Sequence, residues 1–562
     1  MPFLFGFLLR VRSMRPRALL AGFCWVMGVG AGASFVAPAS GAQPLALTPP
    51  MGWNDWAHFQ CGFTAQAILD NAKLLVSTGL AARGYNTVTI DDCWMQKARD
   101  AQGNLQVDPD RFQHGMKPLA SAIHALGLKF GIYEDAGSET CGRFAGSGQP
   151  DVGGKDHFLE DARIFASWDV DYLKLDGCNV GVAGQSDRVS AYRKAYAAES
   201  AALKSVGRPI VFSESAPAYF ENTPEWYDVL TWVRQYGQLW REGSDIANYH
   251  ANNPDAPRFK SVLWNYAYNL ALGRFQRPGN WDDPDFIIGG DSGMSLAESR
   301  SQMALWSMMS APLILSSDLG KLSPEALKML GNPAVIAVDQ DSLGRMATLV
   351  RRTSSIDILL KPLKGGDYAV AALNRGDAPA QVQIHPAELG FSTDANCSLN
   401  GQNLWNGERW PSLSVLQADV ASHDTAIWRI HPSASCGAVT RTGAIIITAG
   451  RTLGSIDGYT HCLATTGKVE ECSGAPEESW TVTSGGTLKS SGACLAVAGG
   501  KLVMEKCNDG SMQHWSYTLA GNLVNAADHE CLTNVSASET QQPLTMQPCG
   551  HNQLNQVWSL PD

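Results

Sequence analysis

Eight short apolar segments alternate with helix-like segments between residues 45 and 340. The candidate strands are MGWNDW (51–56), TVTIDDCW (87–94), KFGIYED (129–135), DYLKLDG (171–177), PIVFSES (209–215), DVLTWVRQY (228–236), NWDDPDFII (280–288) and APLILSSD (311–318). Alternation of strands and helices is typical of βα units with a parallel sheet. Eight units in roughly 300 residues match the size of a TIM barrel, so we predict a (β/α)8 barrel over residues 43–342.

Acidic residues stand at or near the end of almost every candidate strand. They are Asp55, Asp91, Asp92, Glu134, Asp135, Asp176, Glu214, Asp283 and Asp285. Active sites of TIM barrels lie at the face formed by the C-terminal ends of the strands. We therefore expect a site rich in carboxyl groups at this face.

The segment DYLKLDGCN (171–179) carries two charges on an otherwise apolar strand. Lys174 and Asp176 are two residues apart, so their side chains point to the same side of the strand. Charges on the core side are costly unless they pair or take part in chemistry. A buried ion pair that serves packing and an active-site acid are both compatible with this segment alone.

The pattern changes from about Leu343 onward. Short strands such as DILLKPL, DYAVAALNR and DTAIWRI are separated by Gly, Asn and Asp turns. This pattern is typical of antiparallel sheets, and we predict an antiparallel β-sandwich over residues 343–436. Cys397 and Cys436 are the two cysteines of this part of the chain, and we expect them to form a disulfide.

Residues 437–562 contain a threefold repeat, in which an acid or amide precedes a Trp by two residues. The repeated pairs are Glu478 with Trp480, Gln513 with Trp515, and Gln556 with Trp558. Each copy also carries two cysteines that we expect in disulfides, namely Cys462 and Cys472, Cys494 and Cys507, and Cys531 and Cys549. β units of about 40 residues cannot each bury a core, so they should close on one another.

This repeat resembles the ricin-type β-trefoil carbohydrate-binding module. Such modules usually bind sugar through an Asp shortly after the first Cys of a repeat. The corresponding residues here are Ala464, Ala496 and Thr533. The resemblance therefore implies the trefoil fold more strongly than sugar binding, and a polysaccharide partner for this domain stays an open alternative.

Residues 1–42 have the pattern of a secretory signal. Four Arg residues precede a long apolar run, and Ser40-Gly41-Ala42 provides small residues for cleavage. We expect a secreted or periplasmic protein with no membrane segment in its mature form. An uncleaved membrane anchor is the alternative.

The rest of the chain is acidic and rich in cysteine. It holds 39 of the 43 Lys and Arg residues and all 54 Asp and Glu residues, a formal charge of −15. This excess disfavours nucleic acid and anionic membranes as partners. Twelve of the 13 Cys remain, an even number that suits disulfides in an oxidising compartment. No Cys-x-x-Cys pair indicates zinc.

Hydrolysis of a glycosidic bond uses two carboxyl groups, one that attacks or activates water and one that protonates the leaving oxygen. Asp176 is a candidate for the first. The segment LWREGSDI (239–246) offers a candidate for the second, because Asp245 lies in a Gly-Ser loop that could present it. Arg241 in the same segment can form a bidentate pair with a carboxylate. A surface acid near a surface Arg is the alternative that this segment alone favours.

Six motifs occur in the order of a known family: MGWNDW, TIDDCW, GIYED, YLKLDGCN, LWREGSDI and WDDPDF. Together they resemble the retaining α-galactosidase and α-N-acetylgalactosaminidase family of glycoside hydrolases, the melibiases, over roughly residues 45–430. The resemblance implies that Asp176 is the nucleophile and Asp245 the general acid/base. It also implies a carboxyl separation of about 5–5.5 Å, a carbohydrate substrate, and no metal or organic cofactor.

The same resemblance implies the contacts of the terminal sugar. Asp91 and Asp92 would hold the hydroxyls at C4 and C6. Lys174 is expected to favour the ionised form of Asp176. The remaining expected contacts are Trp56 as an apolar wall, Tyr133 beside Lys174, Arg241 near the 2-position, and Asp285 at the far rim.

The resemblance also implies two disulfides near the pocket, Cys61 with Cys93 and Cys141 with Cys178. A third family disulfide is missing, because Glu214 and Gly237 stand at its two positions. We expect packing or hydrogen bonds to hold that loop instead.

Specificity at the 2-position depends on the segment FSESAPAYF. Alignment of Pro217 and Tyr219 with the family puts Ser215 and Ala218 at the selectivity pair, and this small pair is that of members accepting N-acetylgalactosamine. A one-residue shift would place the acid Glu214 there instead, as in galactose-specific members, and neighbours on a strand face opposite ways. Because most members of the family are α-galactosidases, we predict an α-galactosidase, with an α-N-acetylgalactosaminidase as the alternative.

Two further alternatives are disfavoured by the residues present. A β-L-arabinopyranosidase would not need both Asp91 and Asp92, which suit a C6 hydroxyl. An inactive lectin should lack Asp176 or Asp245, and both are present. The predicted activity is therefore hydrolysis of terminal α-galactosyl residues from oligosaccharides, galactomannan or glycoconjugates.

Overall fold

The computed structural model describes most of the chain after the predicted signal. The described residues are 44–150, 154–181, 187–221, 223–247, 257–290, 293–392, 394, 396–448, 461–508, 510–535, 544–550 and 553–561. The predicted signal segment, residues 1–42, lies outside them. Within these ranges, no helix has the length and apolar character needed to cross a membrane.

Eight parallel strands form the first sheet. They are β1 (Met51–Asn54), β2 (Thr87–Thr89), β3 (Lys129–Asp135), β4 (Tyr172–Asp176), β5 (Val211–Glu214), β6 (Leu239–Arg241), β7 (Trp281–Asp283) and β8 (Leu313–Leu315). Each strand pairs with the next in sequence, and β1 also pairs with β8. A parallel bridge between Ile287 and Leu315 joins the end of the β7 segment to β8 and closes the sheet. The predicted TIM barrel is confirmed.

Helices follow the strands and cover the outside of the barrel. They are α1 (Trp56–Phe59), α2 (Ala65–Ser77), α3 (Met116–Ala125), α4 (Phe158–Ser167), α5 (Arg188–Ser205), α6 (Trp226–Val233), α7 (Arg258–Asn269), α8 (Leu296–Met309), α9 (Pro324–Leu330) and α10 (Pro333–Asp339). The helix α2 shows why such segments are helical: Ile68, Ala72 and Leu75 recur at helical spacing and are buried. The side chain of Thr64 caps its first turn.

The predicted strand over residues 228–236 is wrong. Most of this segment belongs to α6, and the sixth strand, β6, comes later. The apolar residues Trp226, Val229, Leu230 and Val233 are spaced three and four apart and all are buried, which is the pattern of a helix face. The aromatic and β-branched residues of this run gave a strand-like composition that tertiary packing overrode.

The second part of the chain forms two antiparallel sheets. Their strands are β9 (Thr348–Arg352), β10 (Ile356–Pro362), β11 (Tyr368–Asn374), β12 (Ala380–Ile384), β13 (Leu399–Asn403), β14 (Arg409–Leu413), β15 (Leu416–Val420) and β16 (Thr425–Pro432). One sheet has the order β14-β13-β16-β11-β10-β9, and the other pairs β12 with β15. Apolar residues such as Ile358, Val382 and Trp428 pack between them. The predicted β-sandwich is confirmed.

The last part of the chain consists of short antiparallel strands. They are β17 (Arg441–Ala444), β18 (Ile446–Ile447), β19 (His461–Leu463), β20 (Val469–Glu471), β21 (Ser479–Val482), β22 (Leu488–Ser490), β23 (Ala493–Ala498), β24 (Lys501–Lys506), β25 (Trp515–Tyr517), β26 (Leu523–Asn525), β27 (Cys531–Thr533), β28 (Thr545–Gln547) and β29 (Trp558–Ser559). The three repeats share one core. This arrangement is that of the predicted β-trefoil.

The sequence repeat corresponds to a repeated hydrogen bond. In each copy the indole N–H of the repeated Trp donates to the carbonyl of the Leu that follows the first Cys. The pairs are Trp480 with Leu463 at 2.7 Å, Trp515 with Leu495 at 3.1 Å, and Trp558 with Leu532 at 2.9 Å. Buried indoles need such a partner, which explains why the Trp and its neighbours recur together.

Six disulfides link segments that are close in sequence. The pairs are Cys61–Cys93, Cys141–Cys178, Cys397–Cys436, Cys462–Cys472, Cys494–Cys507 and Cys531–Cys549. The first two lie in the barrel, the third in the sandwich, and one in each trefoil repeat. Disulfides are typical of proteins from oxidising compartments.

One arginine joins the barrel to the trefoil. Arg274, which follows α7, donates from Nε to the carbonyl of Leu519 at 2.7 Å and from Nη1 to that of Ala271 at 2.7 Å. Its guanidinium also lies over the rings of Tyr227 and Tyr517 at 5.5 and 5.8 Å. Arg274, a residue of the barrel, therefore forms a hydrogen bond and a ring contact with the trefoil.

We expect the substitution Arg274→Ala to lower the free energy of unfolding by about 2–3 kcal/mol, because it removes charge-assisted hydrogen bonds and ring contacts at a packed interface. Denaturant unfolding monitored by tryptophan fluorescence measures this change. Arg163→Ala, at an exposed arginine of α4, is the matched control and should stay within about 0.5 kcal/mol of wild type. Equal stability of the two variants would contradict a role for Arg274 at this interface.

Candidate active site

A cavity of about 360 Å³ lies at the face of the barrel where the strands end. Its wall includes every site residue predicted from the sequence, apart from the disulfide cysteines considered separately. These residues are Trp56, Asp91, Asp92, Tyr133, Lys174, Asp176, Ser215, Ala218, Arg241, Asp245 and Asp285. Further lining residues are Ala57, Cys141, Cys178, Tyr219, Gly243, Ser244, Ile246 and Phe286. Residues from seven different strand ends thus meet in one place.

Asp176 ends β4, and its carboxylate accepts three hydrogen bonds. Tyr219 donates to Oδ1 at 2.5 Å, Tyr133 donates to Oδ2 at 3.1 Å, and the backbone N–H of Gly177 donates to Oδ1 at 3.0 Å. Burial is the main effect that raises the pKa of both tyrosines, and the negative charge of Asp176 is the second. The two hydroxyls therefore keep their protons and act as donors, which fixes the plane of the carboxylate.

Lys174 is bonded to Asp91 rather than to Asp176. Its Nζ donates to Asp91 Oδ2 at 2.8 Å, and Asn54 Nδ2 donates to the same oxygen at 2.7 Å. Although burial lowers the pKa of Lys174, Asp91 and then Asp176 raise it above its usual value. The expected Lys174–Asp176 pair is thus a charge interaction across the cavity, and the direct ion pair belongs to Asp91.

Asp92 is held by the loop that the first two disulfides constrain. Its carboxylate accepts from the backbone N–H of Cys93 at 2.6 Å and from that of Gly142 at 2.8 Å. Cys93 is bonded to Cys61 and has a φ of 74°, a strained value that structures keep mainly where function needs it. Burial raises the pKa of Asp92, which the two N–H groups oppose.

Arg241 connects two acids on the opposite side of the cavity. Its Nη2 donates to Asp245 Oδ1 at 3.0 Å, and its Nη1 lies 3.0 Å from Asp285 Oδ1. Arg241 and Asp285 are buried, whereas the side chain of Asp245 is 80% exposed. Asp245 therefore extends from a buried cation into the open part of the cavity.

Asp245 and Asp285 both contact Arg241, but their pKa values shift in opposite directions. The low-dielectric walls of the cavity raise the pKa of Asp245, but Arg241 and Lys174 outweigh this effect and lower it below its usual value. For Asp285, burial dominates over Arg241 and raises the pKa to about 6. Asp245 is thus the acid that carries a negative charge in the free protein at mildly acidic pH.

The small pair faces the cavity at the predicted 2-position. Ser215 and Ala218 line it, whereas Glu214 is fully buried on the other side of β5. The Glu214 carboxyl packs against the backbone of Gly237, where an added Cβ would lie 2.3 Å from Oε1. Glu214 and Gly237, which stand at the two positions of the missing disulfide in the resemblance, are thus in contact.

One group of potential metal ligands touches the site and does not fit a metal. Within the described residues, Asp135, Cys141, Asp176 and Cys178 bring their ligand atoms within 4.8 Å of one another. The two sulfurs are joined in a disulfide, so they are not thiolate ligands.

Sequence reasoning missed two residues that shape the cavity. Tyr219 served only to align its segment, yet it makes the shortest bond to Asp176. Phe286, in the motif WDDPDF, places its ring 5.2 Å from Lys174 Nζ. The signal in both cases was an aromatic residue just beyond a strand end, which is a frequent feature of sugar sites but also of cores.

The three trefoil positions without an acid are buried. Ala464, Ala496 and Thr533 are each at most 1% exposed. Thr533 accepts a hydrogen bond from Gln556 Nε2 at 2.9 Å. These positions therefore serve the trefoil core.

Carboxylates and aromatic side chains that surround one cavity at this face of a TIM barrel define a glycoside hydrolase. The sequence model described as Alpha galactosidase A matches residues 48–341, and that of the Alpha galactosidase C-terminal beta sandwich domain matches residues 353–430. The Ricin-type beta-trefoil lectin domain matches residues 452–558. The chain belongs to the α-galactosidase A family, as the six motifs predict.

Similar proteins are known from fungi. Alpha-galactosidase A of Aspergillus niger is 37% identical over 528 residues, which cover 92% of this chain and 93% of that protein. The structure of α-galactosidase I from Mortierella vinacea has a TM-score of 0.61 and 30% identity, and covers 69% of this chain and 97% of its own. The structure of the Saccharomyces cerevisiae α-galactosidase with raffinose has a TM-score of 0.60 and 26% identity, and covers 69% and 98%.

We expect Tyr219→Phe to lower kcat about 10- to 100-fold, because the carboxylate of Asp176 loses a donor that fixes its orientation. Steady-state kinetics on an aryl α-galactoside measure the loss. Tyr192→Phe is the matched control, since the Tyr192 hydroxyl donates to the carbonyl of Gly177 at 2.8 Å and not to the carboxylate. Equal kcat values for the two variants would contradict the role of the Tyr219 hydroxyl.

Glu214→Gln should change the pH dependence of stability. Burial raises the pKa of Glu214 well above its usual value, so its contribution to stability is present at acidic pH and is lost as the pH rises through the folded-state pKa. The Gln variant should therefore gain at least about 1 kcal/mol over wild type between acidic and alkaline pH. Urea unfolding at several pH values tests this, with Glu325→Gln, at an exposed residue of α9, as the control that should follow wild type.

Proposed function

We propose that this protein is a secreted, retaining exo-α-galactosidase that releases terminal α-galactosyl residues by double displacement. The observation that carries the proposal is the placement of Asp176 and Asp245 in one cavity with different partners. One carboxylate is fixed by tyrosine hydroxyls, and the other projects from a buried arginine. The relatives named α-galactosidase that match more than nine-tenths of the chain support the substrate class.

In the first step, Asp176 attacks the anomeric carbon and Asp245 donates a proton to the departing oxygen. The oriented carboxylate of Asp176 suits in-line attack, since its two tyrosine donors prevent rotation. Asp245 must first bind a proton, and Arg241 opposes this. The step is therefore favoured by acidic pH, and kcat/KM is expected to fall as the pH rises.

In the second step, Asp245 removes a proton from water, which attacks the glycosyl–Asp176 ester. Arg241 favours the ionised form of Asp245, which is the form required here. Arg241 thus opposes the acid role of Asp245 and assists its base role. Asp285 moderates this effect, because it forms an ion pair with the same guanidinium and shares its charge.

The remaining lining residues recognise the terminal sugar. Asp91 and Asp92 accept hydrogen bonds from the hydroxyls at C4 and C6, and each carboxylate is already oriented by backbone N–H groups. Trp56 provides an apolar wall. The other contacts are Tyr133 and Lys174 beside the nucleophile, Arg241 near the 2-position, and Asp285 at the far rim.

An α-N-acetylgalactosaminidase is the second candidate, and one observation favours it. Ser215 and Ala218 line the cavity at the proposed 2-position, and Glu214 points away from it. Small side chains there leave room for an acetamido group. The names of the relatives favour galactose, so the two sugars must be compared directly.

Secretion is supported by the disulfides in the barrel, sandwich and trefoil, which suit an oxidising compartment. The substrates we propose are galacto-oligosaccharides, galactomannan side chains or glycoconjugates. The yeast relative was solved with raffinose, a galactoside of this kind.

Turnover of p-nitrophenyl α-galactoside and of its 2-acetamido analogue tests both candidates in one assay. We expect a higher kcat/KM for the galactoside. The double substitution Ser215→Glu with Ala218→Leu should abolish turnover of the analogue by filling the 2-position, and leave that of the galactoside measurable. A wild-type preference for the analogue would replace the first candidate by the second, and turnover of neither would refute both.

Asp176→Asn should lower kcat at least about a thousandfold, because it removes the nucleophile. Asp245→Asn should retain part of the first step with p-nitrophenol, a leaving group that needs little protonation, so that a burst of product precedes slow turnover. Stopped-flow measurement of the burst separates the two roles. A burst in the Asp176 variant would contradict the assignment.

A further inference from the structure

A buried carboxyl group that the mechanism does not use lies directly behind Asp91. Asp55 follows β1, begins α1 and is fully buried. Its Oδ1 accepts a hydrogen bond from the backbone N–H of Asp91 at 2.8 Å. The last paired residues of β1 and β2 are Asn54 and Thr89, so this side chain takes the place of a strand carbonyl just where the two strands part.

Asp91 is held from other sides as well. Asn54 Nδ2 and Lys174 Nζ both donate to its Oδ2, at 2.7 and 2.8 Å. Its Oδ1 accepts from the backbone N–H of Asp92 at 3.0 Å. These bonds orient the carboxylate, and the bond to Asp55 is the one that fixes the backbone from which the Asp91–Asp92 pair projects.

We propose that Asp55 is a positioning residue for the Asp91–Asp92 pair, which it holds through the backbone N–H of Asp91 while Asn54 and Lys174 hold the carboxylate. The inference rests on the proposed function in one respect, namely that Asp91 and Asp92 contact the sugar. It assigns sugar affinity to a residue that does not line the cavity.

The charge state of Asp55 determines which replacement is conservative. The pKa of Asp55 lies well above its usual value, mainly because the side chain is buried and secondly because Asp91 is negatively charged. A neutral acid accepts through its carbonyl oxygen without placing a second negative charge beside Asp91. Asn has the same shape, is neutral and carries the same acceptor, whereas Ala carries none.

Kinetics of Asp55→Ala and Asp55→Asn test the role. For p-nitrophenyl α-galactoside, Asp55→Ala should raise KM and the inhibition constant of free galactose together, by about tenfold or more, since a buried N–H loses its acceptor. Asp55→Asn should keep both within about twofold of wild type. A residue that served folding alone would change the melting temperature and the amount of active enzyme, and would leave KM and the galactose constant unchanged.

Wild-type turnover tests the proposed function separately from this role. Should the wild type not hydrolyse the galactoside, calorimetric titration with galactose compares the three proteins, and absence of wild-type binding would overturn the inference too. Unchanged galactose affinity in Asp55→Ala would overturn it while leaving the function intact. A tenfold loss in Asp55→Asn at an unchanged melting temperature would also overturn it, and this variant decides the question if Asp55→Ala does not fold.

Discussion

The concentration of carboxyl groups at one face of the barrel is the constraint on which the site depends. Two buried cations compensate it, Lys174 on β4 and Arg241 at the end of β6. Lys174 is bonded to Asp91, and Arg241 pairs with both Asp285 and the proposed acid/base Asp245. Burial of these charges would be costly without such pairs, because the charged groups lose their water. The ion pairs are therefore required for a cavity lined by carboxylates to be stable.

Some acids near the cavity are neutral and others are charged, and their burial determines which. Burial raises the pKa of Asp55 and Glu214 well above their usual values, because the charged form has lost its water. Asp245 is exposed, and Arg241 lowers its pKa. Asp55 and Glu214 are thus neutral acids that lie behind the wall of the cavity, whereas Asp245 is a charged acid that lines it.

Much of the fold was predictable, since it depends on patterns that repeat along the chain. Seven of the eight barrel strands fall within the predicted segments, and the threefold Trp repeat corresponds to a hydrogen bond made three times. The failure came at residues 228–236, where composition resembled a strand and spacing indicated a helix. The short β6 lies within the motif LWREGSDI, which indicated chemistry rather than a strand.

The sequence by itself determined which residue types stand at the strand ends, and therefore that a carboxyl-rich site forms at one face of a barrel. Only the tertiary structure decided which of them are partners. Lys174 lies two residues from Asp176 in sequence but bonds to Asp91 of the neighbouring wall, and Glu214 turns away while Ser215 faces inward. Strand register and loop path set these directions, and both arise from contacts between segments far apart in the chain.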